Sequence, residues 1–376
     1  MKNLQNYSVT GLKSLLVLAL WSAFCMQNSA SAQRKGRSQA NQVTLTQENG
    51  KVVVKVNNQL FTQYLFGVTE LQGCKKPVLF PILTSKGAPI TRGYPLEPRS
   101  GERVDHPHHV GLWFNYGDVN EHDFWNNSTA VGPEHKGPFG TIVHTGILQM
   151  KSGKKQAQLI VTADWLDKDN ATLLKEKTAF TFFGDTTLRL IDRITTLTAL
   201  DKDISFKDNK EGMIAIRLAR QLEHPSNKPE VFTDASGQAT AVPMLDNTGV
   251  TGHYRNSEGV EGEDVWGKRA IWMDLTGKIG DENVSLVMID HSENVGYPTY
   301  WHARGYGLYA ANPLGAKAFT NGKEELNYVL PAGQSVTFRY RIAIVSKDLS
   351  VPEIQQLAAD FEKKYKTSIE VISNKK

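Results

Sequence analysis

The chain has 376 residues, with 43 Lys or Arg against 39 Asp or Glu and a formal charge of +4. That balance, with no basic stripe, argues against a nucleic-acid partner, and 40% hydrophobic residues suffice for a real core. Only two cysteines are present, Cys25 and Cys74, so the protein is not a disulfide-built scaffold.

In chain order, Lys2 and Lys13 precede an apolar run at residues 15–24 that leads to Ala30-Ser31-Ala32. This pattern predicts a signal peptide over residues 1–32, cleaved before Gln33, and hence a periplasmic or secreted protein. The run is short for a membrane span, and no later segment reaches eighteen apolar residues, so no membrane-spanning body is expected. Loss of this segment removes two lysines and no acid, lowering the formal charge to +2, and leaves Cys74 as the sole thiol. Residues 33–42 are polar and aperiodic and are expected to form a flexible leader.

The ordered body is expected over residues 43–346. It opens with a hairpin, because Asn49-Gly50 separates two alternating runs. Strand-like segments then recur at 77–83, 111–116, 140–150, 156–166, 172–183, 186–198, 213–218, 270–275, 284–290, 306–310 and 335–345, with turn residues such as Gly153, Gly184-Asp185 and Gly280-Asp281 between many of them. No long helical period intervenes, so the expected fold is all-β, a large antiparallel β-sandwich in one domain. A helix is expected only at 350–366. There Ser350-Val351-Pro352-Glu353 has capping-box spacing, and Ile354, Leu357, Ala358, Phe361 and Tyr365 form a stripe that would pack on the sandwich as a lid.

The densest chemistry lies at residues 92–125. His106, His108 and His109 are flanked by Arg92, Arg103, Asp105, Trp113, Asp118, Asp123 and Trp125, in a Gly- and Pro-rich stretch that reads as a long excursion over the sheet. Were the segment extended, His106 and His108 would share a face and His109 would turn away. Three readings stay open: imidazoles that satisfy backbone groups in a packed loop; a divalent metal site built from His106, His108 and Asp105; and a carbohydrate site with aromatic faces for the sugar and imidazole for proton transfer. A second cluster holds His291, Trp301, His302 and Arg304. A third, Lys210-Glu211-Gly212 with Arg217 downstream, offers Glu211 as acid or base, provided that burial beside another carboxylate raises its pKa; a plain turn entering a strand is the alternative.

These residues carry a family resemblance. The blocks Asp105-His106-Pro107-His108-His109 with Gly111-Leu112-Trp113-Phe114, Gly117-Asp118-Val119-Asn120, Asp123-Phe124-Trp125, Lys210-Glu211-Gly212, Tyr300-Trp301-His302 with Arg304 and Tyr306, and Ala311-Asn312-Pro313-Leu314-Gly315 resemble the bacterial family called methane oxygenase PmoA-like, otherwise a domain of unknown function. A membrane oxygenase subunit would need several spans, which this chain lacks. The resemblance instead implies a galactose-mutarotase-like supersandwich, a fold that hosts sugar epimerases, lyases and hydrolases. The expectation is therefore an exported carbohydrate-active protein, with no cofactor required unless the metal reading holds. His106, His108, His302 and Glu211 would do proton chemistry. Arg92, Arg103, His109, Trp113, Asp118, Asp123, Trp125, Arg217, His291, Trp301 and Arg304 would hold a sugar or glycan. A non-catalytic sugar-binding module is the alternative.

Overall fold

The computed structural model describes residues 42–131 and 137–367. The expected signal peptide, and the leader apart from Gln42, lie outside the described residues.

Nineteen strands are described: β1 (Gln42–Glu48), β2 (Lys51–Val56), β3 (Gln59–Leu65), β4 (Val78–Ile82), β5 (Leu112–Tyr116), β6 (Thr141–Lys151), β7 (Gly153–Lys154), β8 (Gln156–Leu166), β9 (Thr172–Gly184), β10 (Leu188–Ala199), β11 (Ile204–Phe206), β12 (Gly212–Arg217), β13 (His253–Asn256), β14 (Trp272–Ile279), β15 (Glu282–Asp290), β16 (Tyr300–Arg304), β17 (Leu308–Asn312), β18 (Tyr328–Leu330) and β19 (Ser335–Val345). Nine of them pair in the order β16-β17-β12-β5-β4-β3-β2-β1-β7, eight in the order β13-β14-β15-β19-β10-β9-β8-β6, and β11 with β18 makes a small third sheet. The ladders between the strands are antiparallel. The expected all-β sandwich is therefore what forms, and Asn49-Gly50 makes the opening turn, with Gly50 at φ +69°.

One face of each large sheet meets the other across the main core. Phe114, Ile214, Trp301 and Ala311 enter it from the nine-stranded sheet, and Phe180, Ile191, Leu286 and Ile342 from the eight-stranded one. The outer face of the eight-stranded sheet is covered by the C-terminal helix, Val351–Tyr365, which carries the expected Ser350–Glu353 capping box. Ile354 and Phe361 pack there on Leu190, Val287, Ile289 and Ala343. Leu188 and Ile194 join the same cluster, so one face of β10 lies under this helix.

A charged cluster anchors the far end of the helix. Asp192 and Arg341 sit opposite one another on β10 and β19 and bond at 2.6 and 2.9 Å. Lys364 Nζ (3.1 Å) and the Tyr365 hydroxyl (3.0 Å) reach the same buried carboxylate. The helix thus lids a sheet face, and none of its residues lines either of the two large cavities described below. Among the described residues no helix is long and apolar enough to cross a membrane.

Candidate active site on the outer face of the nine-stranded sheet

The candidate site stands on four neighbouring strands, and their register decides which side chains reach it. Trp113, Ala215, Ala310 and His302 lie side by side across β5, β12, β17 and β16. The next row, Phe114, Ile214, Ala311 and Trp301, points the other way into the main core. Side chains alternate along a strand, so Trp301 and His302 cannot serve one cavity. Trp301 is 0% exposed and its indole N–H donates to the Ala270 carbonyl. Ala215 and Ala310, being small, leave room above the sheet for the loops that carry the histidines.

The loop that carries the three adjacent histidines is wound on one arginine. Arg92 is buried, and its Nη1 donates to the Arg103 and Asp105 carbonyls and to Asp105 Oδ1, while Nη2 donates to the carbonyls of His106 and His109. Five bonds from one guanidinium draw the chain into a tight turn, in which His106 takes a left-handed φ of +44° and the His109 N–H bonds the His106 carbonyl. Such a φ is unfavourable for a residue other than Gly and persists when its surroundings over-determine it. The segment is therefore not extended, and His109 does not turn away from its neighbours. Tyr306, His106, His109 and Trp113 form a ladder of near-parallel rings, with centroids 5.1, 4.8 and 5.2 Å apart. Gly111, where the chain enters β5, has φ +59°, and a Cβ there would stand 2.2 Å from the Leu79 carbonyl oxygen, so only glycine fits.

Asp105 is the electrostatic pivot. Its Oδ1 accepts from Arg92 Nη1 at 2.8 Å and from Arg217 Nη2 at 2.5 Å, and its Oδ2 lies 2.8 Å from His106 Nδ1. Burial alone would raise its pKa, but Arg217, the His106 hydrogen bond and Arg92 together hold the carboxyl well below the usual range. An ionised carboxylate only accepts, so the His106 proton sits on Nδ1 and Nε2 is left as the basic nitrogen. His108 and His109 are kept neutral. Burial first, then the nearby Lys76, His106, Arg92 and Arg217 charges, push His108 down to about 2, and burial with the His108 and Arg217 neighbours lowers His109 far below its ordinary value. His109 lies between two donors, Trp125 Nε1 at 3.2 Å and Arg217 Nη1 at 3.3 Å. His108 Nδ1 is buried with no protein partner.

Opposite these imidazoles stands Glu211, at the entry to β12. Its Oε1 pairs with Lys210 Nζ at 2.6 Å, and its Oε2 lies 3.8 Å from His302 Nδ1. His302 Nδ1 also donates to the Lys210 carbonyl at 3.0 Å, and burial pushes this imidazole down to about 4. Glu211 therefore has an ammonium and an imidazole beside it rather than the expected second carboxylate. Tyr306, in the turn between β16 and β17, lies over the Arg217 guanidinium (4.9 Å), and burial first raises its pKa to about 12.

Together these groups enclose a cavity of about 460 Å³, whose walls include His106, His108, His109, Trp125, Asn126, Lys210, Glu211 and Tyr306. Of the cluster near residue 302, Tyr306 lines this cavity, and His302 lies beside Glu211 without lining it. Other expected site residues lie elsewhere. Trp113 is 0% exposed beneath His109, so it offers no face to a sugar, and Trp125, though it lines the cavity, is only 1% exposed. Arg92 is a loop post and Arg217 sits behind His109. Asp123 caps the turn that positions Trp125 and Asn126, and Asp118 holds the Glu121 N–H. Arg304 stacks over Trp266, and His291 packs on Phe361 beside Glu362, under the C-terminal helix. Arg103 is engaged by Glu223 and Glu230, both at 2.7 Å, and lines a neighbouring cavity. Both Asp105 oxygens are occupied, and among the described residues no three His, Cys, Asp or Glu side chains gather as a metal-binding group.

Three contributors escaped sequence reasoning as site residues: Tyr306, Lys210 and Lys76. The buried Lys76 ammonium bonds the His108 and Trp125 carbonyls and Asn127 Oδ1, and so ties together the two loops that carry those rings. Tyr306 stood within the second aromatic cluster, whereas nothing local marks Lys76.

Comparison with solved structures finds distant likenesses. The GH36 α-galactosidase AgaB from Geobacillus stearothermophilus matches at 10% identity and a TM-score of 0.40, over 84% of this chain and 42% of that one. AgaA from the same organism matches at 10% and 0.38, over 82% and 41%. The Slr1438 protein from Synechocystis sp. PCC 6803 matches at 10% and 0.32, over 81% and 96%. The chain thus spans about two fifths of the length of the α-galactosidases. Comparison with curated proteins finds no match. No methane-oxygenase name arises in any comparison. The family model that matches covers residues 51–359 and is described as a family of unknown function, DUF6807, and the chain belongs to that family.

Proposed function

We propose that the cavity between His106 and Glu211 binds a sugar and moves protons on it. The observation that carries this reading is the pairing, across one polar cavity of about 460 Å³, of a carboxylate with an imidazole whose Nδ1 is tied to an ionised aspartate. The volume lies within the range of about 300–1,000 Å³ usual for small-ligand sites. Beside Pro107, Trp125, Ala130 and Val131 the wall carries imidazole, amide, ammonium, carboxylate and phenol groups, which suit a polyhydroxylated ligand better than a wholly apolar one.

Within this reading His106 Nε2 takes a proton from the ligand, and Asp105 stabilises the imidazolium that results. Glu211, held by Lys210, faces the same ligand as its partner in proton transfer. His108 and His109, neutral at working pH, do not compete for the proton. Among the described residues the lining holds one carboxylate, Glu211, and Asp105, outside the lining, is saturated by two guanidiniums and His106. Hydrolysis by a pair of free carboxylates therefore fits less well than proton abstraction and return, as in epimerisation or elimination.

The signal pattern at residues 1–32 supports export as the setting, and a mature N-terminus at Gln33 in protein recovered from outside the cytoplasm would establish it. For the activity itself, neutral and acidic mono- and disaccharides are screened for binding by calorimetry and for conversion by proton NMR. At least one is expected to bind and be converted, and a panel with neither binding nor conversion would sink the proposal.

A further inference from the structure

A second cavity, of about 370 Å³, lies beside the first and has no part in the chemistry above. It is lined by Arg103, Ser226, Asn227, Lys228, Glu230 and Glu263, among others, and it shares Tyr306 with the first cavity. Two stretches of chain run from one cavity to the other. Arg103 lines the second and His106 the first, three residues apart; Gly305 lines the second and Tyr306 both. Three residues of chain span at most about 10 Å, so the two walls are within reach of one short linear ligand.

The chemistry of the second cavity is polar but balanced. Arg103 and Lys228 are matched in its lining by Glu230 and Glu263. Arg103 is 3% exposed and fixed by two carboxylates, through Nε to Glu223 and Nη1 to Glu230, which leaves Nη2 as an oriented, uncommitted donor. Glu263 is also held, its Oε1 accepting the Gly305 N–H at 3.0 Å. Charge balance disfavours an ionic ligand, whereas pre-oriented donors and acceptors on rigid supports suit neutral hydroxyls, whose bonds cost little reorganisation.

We propose that this cavity is a second subsite that takes an uncharged sugar unit linked to the one held between His106 and Glu211, so that the ligand is a disaccharide or a longer glycan rather than a free monosaccharide. The proposal rests on the sugar-binding reading of the first cavity. Tyr306 is then the wall past which the linkage runs, and Arg103 serves the ligand here rather than beside the imidazoles.

Calorimetry on the full chain tests this with glucose, galactose and glucuronic acid against maltose, cellobiose and lactose. The best disaccharide is expected to bind at least about tenfold more tightly than its matched monosaccharide, with one ligand per chain. Asn227→Trp, at an exposed position of the second cavity, is expected to bring that ratio to within about twofold; Lys228→Ala reads the same ratio should the tryptophan variant fail to fold. A wild-type ratio near one, two independent ligands per chain, or a ratio unmoved in a folded variant overturns the second subsite. Absence of binding by every sugar overturns the first cavity's reading instead, so the two failures are distinguishable.

Discussion

Asp105 is held by two buried guanidiniums and a histidine, and its removal should show the cost of leaving those charges alone. Asp105→Ala is expected to destabilise the protein by about 3–5 kcal/mol, because Arg92 and Arg217 stay buried without their counter-ion. Chemical denaturation measures this, and a loss below about 1 kcal/mol would mean that the loop does not depend on the ion pair. The same residue shows why sequence reading reached part of the site only. The density of His, Asp and Arg near residue 106 marked the loop that lines the candidate cavity, and Glu211 and His302 were legible as chemistry-bearing types. Whether Arg92 meets ligand or backbone was not legible, because a guanidinium that winds a loop and one that grips a substrate look alike in a linear chain. Trp113 and Trp301 were misplaced for a related reason: an indole beside a histidine in sequence is on the opposite side of a strand, as Trp301 is from His302, or beneath the ring that covers it, as Trp113 is beneath His109.

At the scale of elements, most of the longer strands were legible from alternation and turn residues, and the C-terminal helix from its capping box and apolar stripe, whereas β3 and β16 were not expected. Short strands such as β7, β11, β13 and β18 carry too few residues to show a period. Beyond the opening hairpin the pairing order could not be read, since strands such as β12 and β17 meet across almost a hundred residues of chain. The helix covers a face of the eight-stranded sheet to which β10 contributes Leu188, Leu190 and Ile194. Phe361→Ala should cost about 3–5 kcal/mol in unfolding free energy, by loss of a fully buried ring under the helix. The catalytic constants of the folded variant should be unaffected, because the helix does not line the site; a specific loss of turnover at full folding would show the helix to be coupled to the cavity.

For the molecule as a whole, buried neutral imidazoles make stability depend on pH with a definite sign. His302 has its pKa lowered to about 4 by burial, so between about pH 6.5 and 4 the unfolded chain binds a proton that the native site refuses. Its contribution is fully present above about 6.5 and is lost as pH falls towards 4. Asp290 acts in the opposite sense, because burial raises its carboxyl to about 7 and stability falls as pH rises to that value. A substitution isolates the histidine. His302→Asn, which keeps a donor for the Lys210 carbonyl, should reduce the slope of unfolding free energy between pH 4 and 6.5 by up to about 1.4 kcal/mol per pH unit relative to wild type. An unchanged slope would mean that His302 is protonated in the folded protein.

In the proposed function His106 and Glu211 act on one sugar across one cavity. The most direct test is the turnover of the sugar identified by screening, followed by proton NMR for wild type, His106→Ala and Glu211→Gln, with folding of each variant verified by its unfolding temperature. Each substitution should lower kcat by about 10²–10⁴-fold, with a much smaller change in KM, as expected when a proton-transfer group is lost and binding is kept. Turnover within a few-fold of wild type in both folded variants would contradict the account.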